Sequence, residues 1–162
     1  MAVNIVTVVT ADKEEKYKLL IPQINALIEG ETNLISNLGN VASALKFSMD
    51  NFLWTGFYLT EGGNELVLGP FQGRVACTRI PFGKGVCGTA AQKMETIIVP
   101  DVDKFPGHIV CDSLSKSEIV IPIVKDKMVM GVLDIDSDIP DNFDEIDKTY
   151  LEEIILNLVK IF

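Results

Sequence analysis

Apolar residues recur at three- and four-residue steps along three stretches of the chain, the spacing that places them on one face of a helix. In the first stretch they are Tyr17, Leu20, Ile21, Ile24, Leu27 and Ile28. Asp12 precedes them and predicts an N-cap, because its carboxylate can accept hydrogen bonds from the free N–H groups of the first turn. Pro22 predicts a kink or a division into two helices, and Gly30 predicts the end.

The second and the last helical stretches are bounded in the same way. The second is expected to start with Thr32 or Asn33 as its cap and to run to about Met49, with Leu34, Leu38, Val41, Ala42 and Leu45 on its apolar face. Asp144 is expected to cap the last helix, whose apolar positions are Ile146, Tyr150, Leu151, Ile154, Ile155, Leu158 and Val159.

Between these helices, alternating or short apolar runs predict β-strands. Two hairpins are expected, one from residues 52–60 and 65–69 and one from residues 118–124 and 128–137. Shorter strands are predicted at 77–80 and 96–99, a short helix at 86–93, and loops at 71–76 and 100–116. Residues 1–11 are β-prone and predict an edge strand or an ordered N-terminal arm.

This order of elements predicts an α+β domain that spans residues 1–162. Its sheet is expected to be antiparallel, with the N- and C-terminal helices packed on one face. A chain of 162 residues matches one domain. The apolar stripes of the helices must be buried, and part of that burial could occur across a homodimer interface.

Charge and targeting signals narrow the function classes. The net charge of −9 argues against a nucleic-acid partner, because phosphate binding needs clustered lysine and arginine. The apolar start of the chain is short and has no basic flank, which argues against a signal peptide. No apolar run is long enough to cross a bilayer, so we expect a cytoplasmic protein without membrane contact.

The three cysteines and the single histidine fall within one window, residues 77–111. Cysteine spacings of ten and 24 residues, and only one histidine, argue against a metal site, and we predict none. Cys77 on a predicted strand and Cys87 in the short helix are typical of structural positions. Cys111 lies in a polar loop near His108 and Lys116, whose positive charge could lower its thiol pKa, so it is the candidate for redox chemistry.

The strand at 128–137 carries an unusual pair of acids. Alternation places Asp134 and Asp136 on one face together with Val132. Aspartate is depleted in strands, and two on one face repel each other unless solvent or a cation compensates. A solvated sheet face is the simpler interpretation, whereas a pocket for a small ligand with a positive charge fits the apolar neighbours better. Glu118 on the adjacent strand could add a third carboxylate.

Trp54 and Tyr58 also share one face of their strand, with Gly56 between them. A core aromatic cluster is the interpretation that the pattern alone favours. The functional alternative is an aromatic wall for a ligand methyl group or sulfur, because sulfur and aromatic rings attract each other.

An ordered set of sequence blocks resembles the GAF-domain free methionine-(R)-sulfoxide reductases. The blocks are residues 54–58 (WTGFY), 68–73 (LGPFQG), 83–90 (GKGVCGTA), 107–109 (GHI), 117–120 (SEIV) and 131–137 (GVLDIDS), together with Cys77 and Cys111. The resemblance covers roughly residues 13–160 and is far more specific than any single block. It implies a single GAF domain whose pocket loops lie on the sheet face opposite the helices.

The resemblance also implies a reaction and a role for each candidate residue. Cys111 would attack the sulfoxide sulfur of free methionine-(R)-sulfoxide, and Cys77 would then form a disulfide with it, which thioredoxin would reduce. Glu118, Asp134 and Asp136 would hold the substrate ammonium, with Glu118 and Asp134 also acting on the sulfoxide oxygen. Trp54 and Tyr58 would bind the methyl sulfoxide, and Cys87 would be an auxiliary thiol. No bound cofactor is implied.

Two other functions remain open at this level. One is a non-catalytic GAF sensor for a cyclic nucleotide or another small molecule, since a fold does not by itself specify a function. The other is a peroxidase-like redox sensor in which Cys111 reacts with peroxide and the acidic pocket is incidental.

Overall fold

The computed structural model describes residues 4–7 and 12–162, and within them the chain forms four α-helices and six strands. In chain order the elements are α1 (Lys13–Ile28), α2 (Leu34–Ser48), β1 (Trp54–Thr60), β2 (Glu65–Gln72), β3 (Arg79–Pro81), α3 (Gly85–Lys93), β4 (Ile97–Val99), β5 (Ser117–Lys125), β6 (Met128–Ser137) and α4 (Glu145–Leu158). Short 3-10 turns span Val102–Lys104 and Val159–Ile161.

The strands form one antiparallel sheet in the order β3-β2-β1-β6-β5-β4. In the centre, β1 pairs with β6 so that Trp54 lies opposite Asp136 and Gly56 lies opposite Asp134. On the other side of β6, Glu118 of β5 lies opposite Asp136. Residues directly opposite each other point to the same face. The register therefore gathers the three acids, Trp54 and Tyr58 on one side of the sheet.

The two faces of the sheet have different coverings. The first packs against α1, α2 and α4 through a large apolar core that includes Phe57, Leu133 and Ile135. The second packs against α3 through a smaller apolar cluster that includes Trp54 and Tyr58. The predicted α+β fold, with helices on one face and pocket loops on the other, is confirmed.

Three helices begin where the predicted capping residues lie. Asp12, Asn33 and Asp144 each accept backbone N–H hydrogen bonds at the starts of α1, α2 and α4. The predicted division of the first helix is wrong, because α1 continues through Pro22. Buried apolar residues on both sides of Pro22 hold the helix against the core, and their burial offsets the roughly 3 kcal/mol that an interior proline costs.

Two predicted boundaries around the second strand are wrong. Phe71 lies within β2 and not in a loop, because it pairs with Gly56 and its ring stacks on Trp54 at 5.3 Å. The strand predicted at 77–80 is shorter, so Cys77 lies in the β2–β3 loop (residues 73–78). This loop position frees Cys77 from a strand ladder and lets it reach a partner far along the chain.

Part of the predicted N-terminal arm lies outside the described residues. Residues 4–7 form neither a helix nor a strand, and Ile5 packs against the helix-side core. The backbone N–H of Val6 donates to the side chain of Gln23 at 2.7 Å, and Gln23 donates back to the carbonyl of Val6 at 2.9 Å. These contacts attach the described part of the arm to α1.

Asp147 ties the first and last helices together in the core. Its side chain is fully buried, accepts from the Tyr17 hydroxyl at 2.8 Å and from the Asp144 N–H at 2.9 Å, and pairs with Lys13. We expect Asp147→Ala to lower the free energy of unfolding by about 3 kcal/mol, because the buried Tyr17 hydroxyl loses its acceptor and the half-buried Lys13 ammonium loses one of its two carboxylate partners. Urea unfolding measures this, with Asp138→Ala, at an exposed position, as the control. Equal small losses in both variants would contradict the prediction.

Candidate active site

A cavity lies between α3, the second face of the sheet and the β4–β5 loop (residues 100–116). It encloses about 370 Å³ of space free of atoms, part of it open to solvent. Its lining is Ile80, Gly85, Val86, Cys87, His108, Ile109, Cys111, Asp112, Ser115, Glu118, Asp134 and Asp136. Two cysteines and three carboxylates predicted from the sequence, Cys87, Cys111, Glu118, Asp134 and Asp136, therefore border the same small space.

Cys77 and Cys111 are joined by a disulfide in this structure. Their Cα atoms are 5.4 Å apart although 34 residues separate them in sequence. The bond links the β2–β3 loop to the β4–β5 loop at the mouth of the cavity. The two thiols that the family resemblance pairs are thus within bonding distance.

Three acids, two of them buried and Asp136 half-buried, line one end of the cavity. Glu118 and Asp134 are each 6% exposed, and Asp136 lies opposite Glu118 in the sheet. Burial raises the pKa of Glu118 well above its ordinary value, and the charges of Asp134 and Asp136 raise it further. Burial also raises the pKa of Asp136, and it raises the pKa of Asp134 to about 6. The free site therefore holds protons that it can donate.

Two carboxylate oxygens around the cavity have no hydrogen-bond partner within the described part of the chain. They are Asp134 Oδ1 and Asp112 Oδ2, and both are buried. An unpaired buried acceptor costs about 1–3 kcal/mol, so native proteins rarely keep several together without a reason. A ligand group with several N–H donors, such as an ammonium, could satisfy them, and Gly56 opposite Asp134 adds no side chain that would compete.

Cys87 lies in α3 beside these acids. It is buried, and its thiol donates to Glu118 Oε1 at 3.8 Å. Burial first, and then the charges of Asp134 and Glu118, raise the pKa of the Cys87 thiol well above its ordinary value. Cys87 is therefore a neutral thiol in the free site, unlike a reactive cysteine, whose pKa is lowered.

The aromatic pair lies on the predicted face but does not line the cavity in this disulfide-linked state. The rings of Trp54 and Tyr58 stack with centroids 6.0 Å apart. Trp54 Nε1 donates to the carbonyl of Arg74 at 3.0 Å, and the Tyr58 hydroxyl donates to the carbonyl of Cys77 at 3.1 Å. The β2–β3 loop therefore lies against both rings while the disulfide holds it.

His108 and Lys116, whose positive charge was expected near Cys111, each lie close to an acidic side chain. Burial lowers the pKa of His108, and His108 Nε2 lies 3.8 Å from Glu118 Oε2. Lys116 lies 3.7 Å from Asp103 at the surface. Asp112, which follows Cys111 in the sequence, forms an ion pair with the guanidinium of Arg74 at 3.8 Å. An activating role of Lys116 towards Cys111 stays a prediction.

Asp112 and Ser115 are cavity residues that the sequence pattern did not assign to the site, and His108, predicted only as a charge near Cys111, also lines the cavity. Asp112 also raises the pKa of Asp136 through its charge. The available signal was their position: all three flank Cys111 within a polar segment of twelve residues, 107–118.

Comparisons with known proteins identify the family of this chain. The GAF domain family matches residues 32–160. A free methionine-R-sulfoxide reductase of Saccharomyces cerevisiae is 49% identical over 150 residues, covering 88% of this chain and 83% of that protein.

The chain belongs to the GAF-domain free methionine-R-sulfoxide reductase family.

Further relatives extend the similarity to almost the whole chain. The free methionine-R-sulfoxide reductase of Neisseria meningitidis, solved in complex with its substrate, superposes with a TM-score of 0.96 at 46% identity. The match covers 99% of this chain and 96% of that one. GAF domain-containing protein A of Dictyostelium discoideum is 61% identical over 143 residues, covering 88% of this chain and 90% of that protein. Within residues 4–7 and 12–162, no helix has the length and apolarity that a membrane span requires.

The buried acids of this site should make the stability of the folded chain depend on pH. Asp134 has a pKa of about 6 in the folded chain and 3.8 without its surroundings. The folded chain therefore binds the Asp134 proton more tightly than the unfolded chain does. The contribution of this proton to the free energy of unfolding is complete below pH 3.8 and is lost as pH rises through about 6. At pH 7.5 we expect Asp134→Asn to be more stable than the natural chain by roughly 2–3 kcal/mol.

Chemical denaturation at pH 4, 5, 6 and 7.5 measures this difference between the two proteins. The gain should shrink towards pH 4, where Asp134 is protonated in the folded state and close to half protonated in the unfolded state. A gain that does not change with pH would indicate a packing effect and would contradict the assignment.

Proposed function

We propose that this chain reduces free L-methionine-(R)-sulfoxide to L-methionine. As a family member it is an oxidoreductase of the free methionine-R-sulfoxide reductase type. One observation carries the proposal: a single small cavity is bordered by Cys111, bonded to Cys77, and by Glu118, Asp134 and Asp136. A relative that shares 46% of the sequence holds its substrate in a solved structure, which supports the same use of the fold here.

In the proposed cycle, the Cys111 thiolate attacks the sulfoxide sulfur. The oxygen takes up protons and ends on the enzyme, so that the sulfoxide is reduced to methionine and Cys111 is oxidised to a sulfenic acid. The Cys77 thiol then attacks the Cys111 sulfur and water leaves, which forms the disulfide. Thioredoxin supplies two electrons and two protons by thiol–disulfide exchange, and no bound cofactor takes part.

The buried acids supply both binding and proton transfer in this proposal. A substrate ammonium would satisfy the unpaired oxygen of Asp134 and stabilise the charged forms of Asp134 and Asp136. Glu118, which keeps its proton because burial raises its pKa, can donate to the developing negative oxygen. A peptide-bonded methionine lacks the ammonium and would leave the buried acids uncompensated, which explains selectivity for the free amino acid.

The aromatic pair would bind the methyl sulfoxide once the disulfide is reduced. The β2–β3 loop lies against Trp54 and Tyr58 while Cys77 is bonded to Cys111. We propose that reduction releases this loop and exposes the two rings to the cavity, where they attract the substrate sulfur. The same release would alternate the site between a closed oxidised form and an open reduced form.

A coupled assay tests the proposal. The protein is incubated with thioredoxin, thioredoxin reductase and NADPH, and NADPH loss is followed after adding one compound. Free L-methionine-(R)-sulfoxide should be turned over, whereas the (S) epimer and N-acetylmethionine-(R)-sulfoxide should not. Turnover of the N-acetylated compound at a comparable rate would contradict the ammonium site. NADPH loss with peroxide alone would favour the peroxidase-like function.

A sensor for a cyclic nucleotide is less well supported by the same cavity. Its phosphate would face three acids, and the negative charge that Asp134 carries above about pH 6 would repel it. Cyclic-nucleotide binding without sulfoxide turnover would nevertheless reverse this preference.

A cytoplasmic location is part of our proposal, because thioredoxin keeps thiols reduced in that compartment. The homodimer stays a prediction.

A further inference from the structure

A thiol and two carboxylates converge at the inner end of the cavity. Cys87 Sγ, one oxygen of Glu118 and one oxygen of Asp134 all lie within 4.8 Å of one another, and all three residues are buried. They come from α3, β5 and β6. We propose that these three side chains bind a thiophilic divalent cation, of which Zn²⁺ is the type case, and we call them the Cys87–Glu118–Asp134 triad.

The spacing of the triad suits tetrahedral zinc. Zinc binds a cysteine sulfur at about 2.3 Å and a carboxylate oxygen at about 2.0–2.2 Å, which places sulfur and oxygen roughly 3.6 Å apart in a tetrahedral site. Cys87 Sγ and Glu118 Oε1 are 3.8 Å apart. Small side-chain rotations are therefore enough to bring both atoms to one ion.

An independent feature also points to an absent ligand. Asp134 is 6% exposed, yet its Oδ1 atom has no hydrogen-bond partner among the described residues, and Asp134 lines the cavity. A divalent ion would satisfy this oxygen and compensate the negative charge that deprotonation of the triad creates. Three protein ligands leave a fourth position towards the cavity, where water can bind.

The chemistry of the triad selects the class of cation. A thiolate ligand favours Zn²⁺, Cd²⁺ and Co²⁺ over Mg²⁺ and Ca²⁺, which prefer oxygen ligands alone. His108 Nε2 lies 3.8 Å from the second oxygen of Glu118 and can orient that carboxylate.

Cation and substrate would exclude each other. This part rests on the proposed function, in which the substrate ammonium occupies the same carboxylate end of the cavity. Zn²⁺ should therefore inhibit the reductase by competition with free methionine-(R)-sulfoxide, and removal of the ion by a chelator should restore activity.

The disulfide-linked protein is the form in which the site can be tested cleanly. Cys77 and Cys111 are bonded to each other, so Cys87 is the single free thiol of the three cysteines in the sequence. Zn²⁺ affinity is measured by competition with a chromophoric chelator, and Co²⁺ is added separately because a thiolate ligand gives a near-ultraviolet charge-transfer band. We expect one equivalent of each ion to bind, with that band present.

Variants then assign the ligands. Cys87→Ser should remove the charge-transfer band and weaken Zn²⁺ binding by at least about tenfold, and Asp134→Asn should weaken it by a similar factor. Glu153→Gln, on the exposed side of α4, is the control and should bind as the natural chain does. Thermal unfolding of each protein without metal verifies that the variants are folded, and Glu118→Gln replaces any that is not.

Three outcomes would overturn the proposal: no stoichiometric binding, binding without the charge-transfer band, or equal affinity in Cys87→Ser and the natural chain. The reductase assay is run separately in metal-chelated buffer. A lack of turnover there would count against the proposed function alone, whereas the direct binding measurement decides the cation site.

Discussion

Replacing Cys111 by serine is expected to lower sulfoxide turnover by at least about 10³-fold, because the hydroxyl of serine is neither nucleophilic enough nor able to form the sulfenic acid. Cys111 is the cavity-lining member of the disulfide, which places its sulfur where a bound sulfoxide would meet it. The measurement is NADPH loss in the thioredoxin-coupled assay, with methionine quantified in parallel.

The matched control is Cys77→Ser, which keeps the proposed nucleophile and removes its partner. It should release about one equivalent of methionine per chain and then stop, because the sulfenic acid on Cys111 cannot be resolved. A sulfenic-acid reagent should label this variant after one turnover. Multiple turnovers by Cys111→Ser would refute the assignment of the nucleophile, and unimpaired turnover by Cys77→Ser would refute the disulfide step.

Asp134→Asn is expected to lower kcat/KM for free methionine-(R)-sulfoxide by about 10- to 100-fold. A hydrogen bond to a charged group contributes about 1.5–3 kcal/mol, and the amide removes the charge that attracts the ammonium. Asp134 lines the cavity and has a buried oxygen without a hydrogen-bond partner among the described residues, so an ammonium would satisfy it. Initial rates over a range of substrate concentrations give the effect.

Two comparisons isolate the ammonium contact in this variant. Asp138→Asn, four residues along the chain at an exposed position, should leave kcat/KM unchanged. The deaminated analogue 4-(methylsulfinyl)butanoate, which has no ammonium, should show a much smaller difference between the natural chain and Asp134→Asn. An equal loss with both substrates would show that Asp134 does not act through the ammonium.

The opposite effects expected of Asp134→Asn on stability and on activity have one cause. Burial disfavours the charged carboxylate in the empty site, so removing the charge stabilises the folded chain above about pH 6. The same charge is what the substrate ammonium compensates. A site that is destabilised when empty and relieved by its ligand is a common compromise between stability and function.

Much of the architecture could be predicted from local patterns. The caps at Asp12, Asn33 and Asp144 mark helix starts because side-chain oxygens satisfy N–H groups that no helix can satisfy internally. The alternation along β6 correctly places Asp134 and Asp136 on the same face. The predicted division of the first helix at Pro22 is wrong, because packing along the whole helix outweighs the free-energy cost of one interior proline.

The sequence by itself determined which elements form, which face each acid occupies and which family the motif blocks resemble, because these follow from short-range periodicity and residue chemistry. Only the tertiary structure decided what meets across the cavity. It places Glu118 opposite Asp136, bonds Cys77 to Cys111 across 34 residues, and brings Cys87 to 3.8 Å from Glu118. These contacts depend on strand register and on the paths of two irregular loops, and no repeating pattern along the chain encodes either of them.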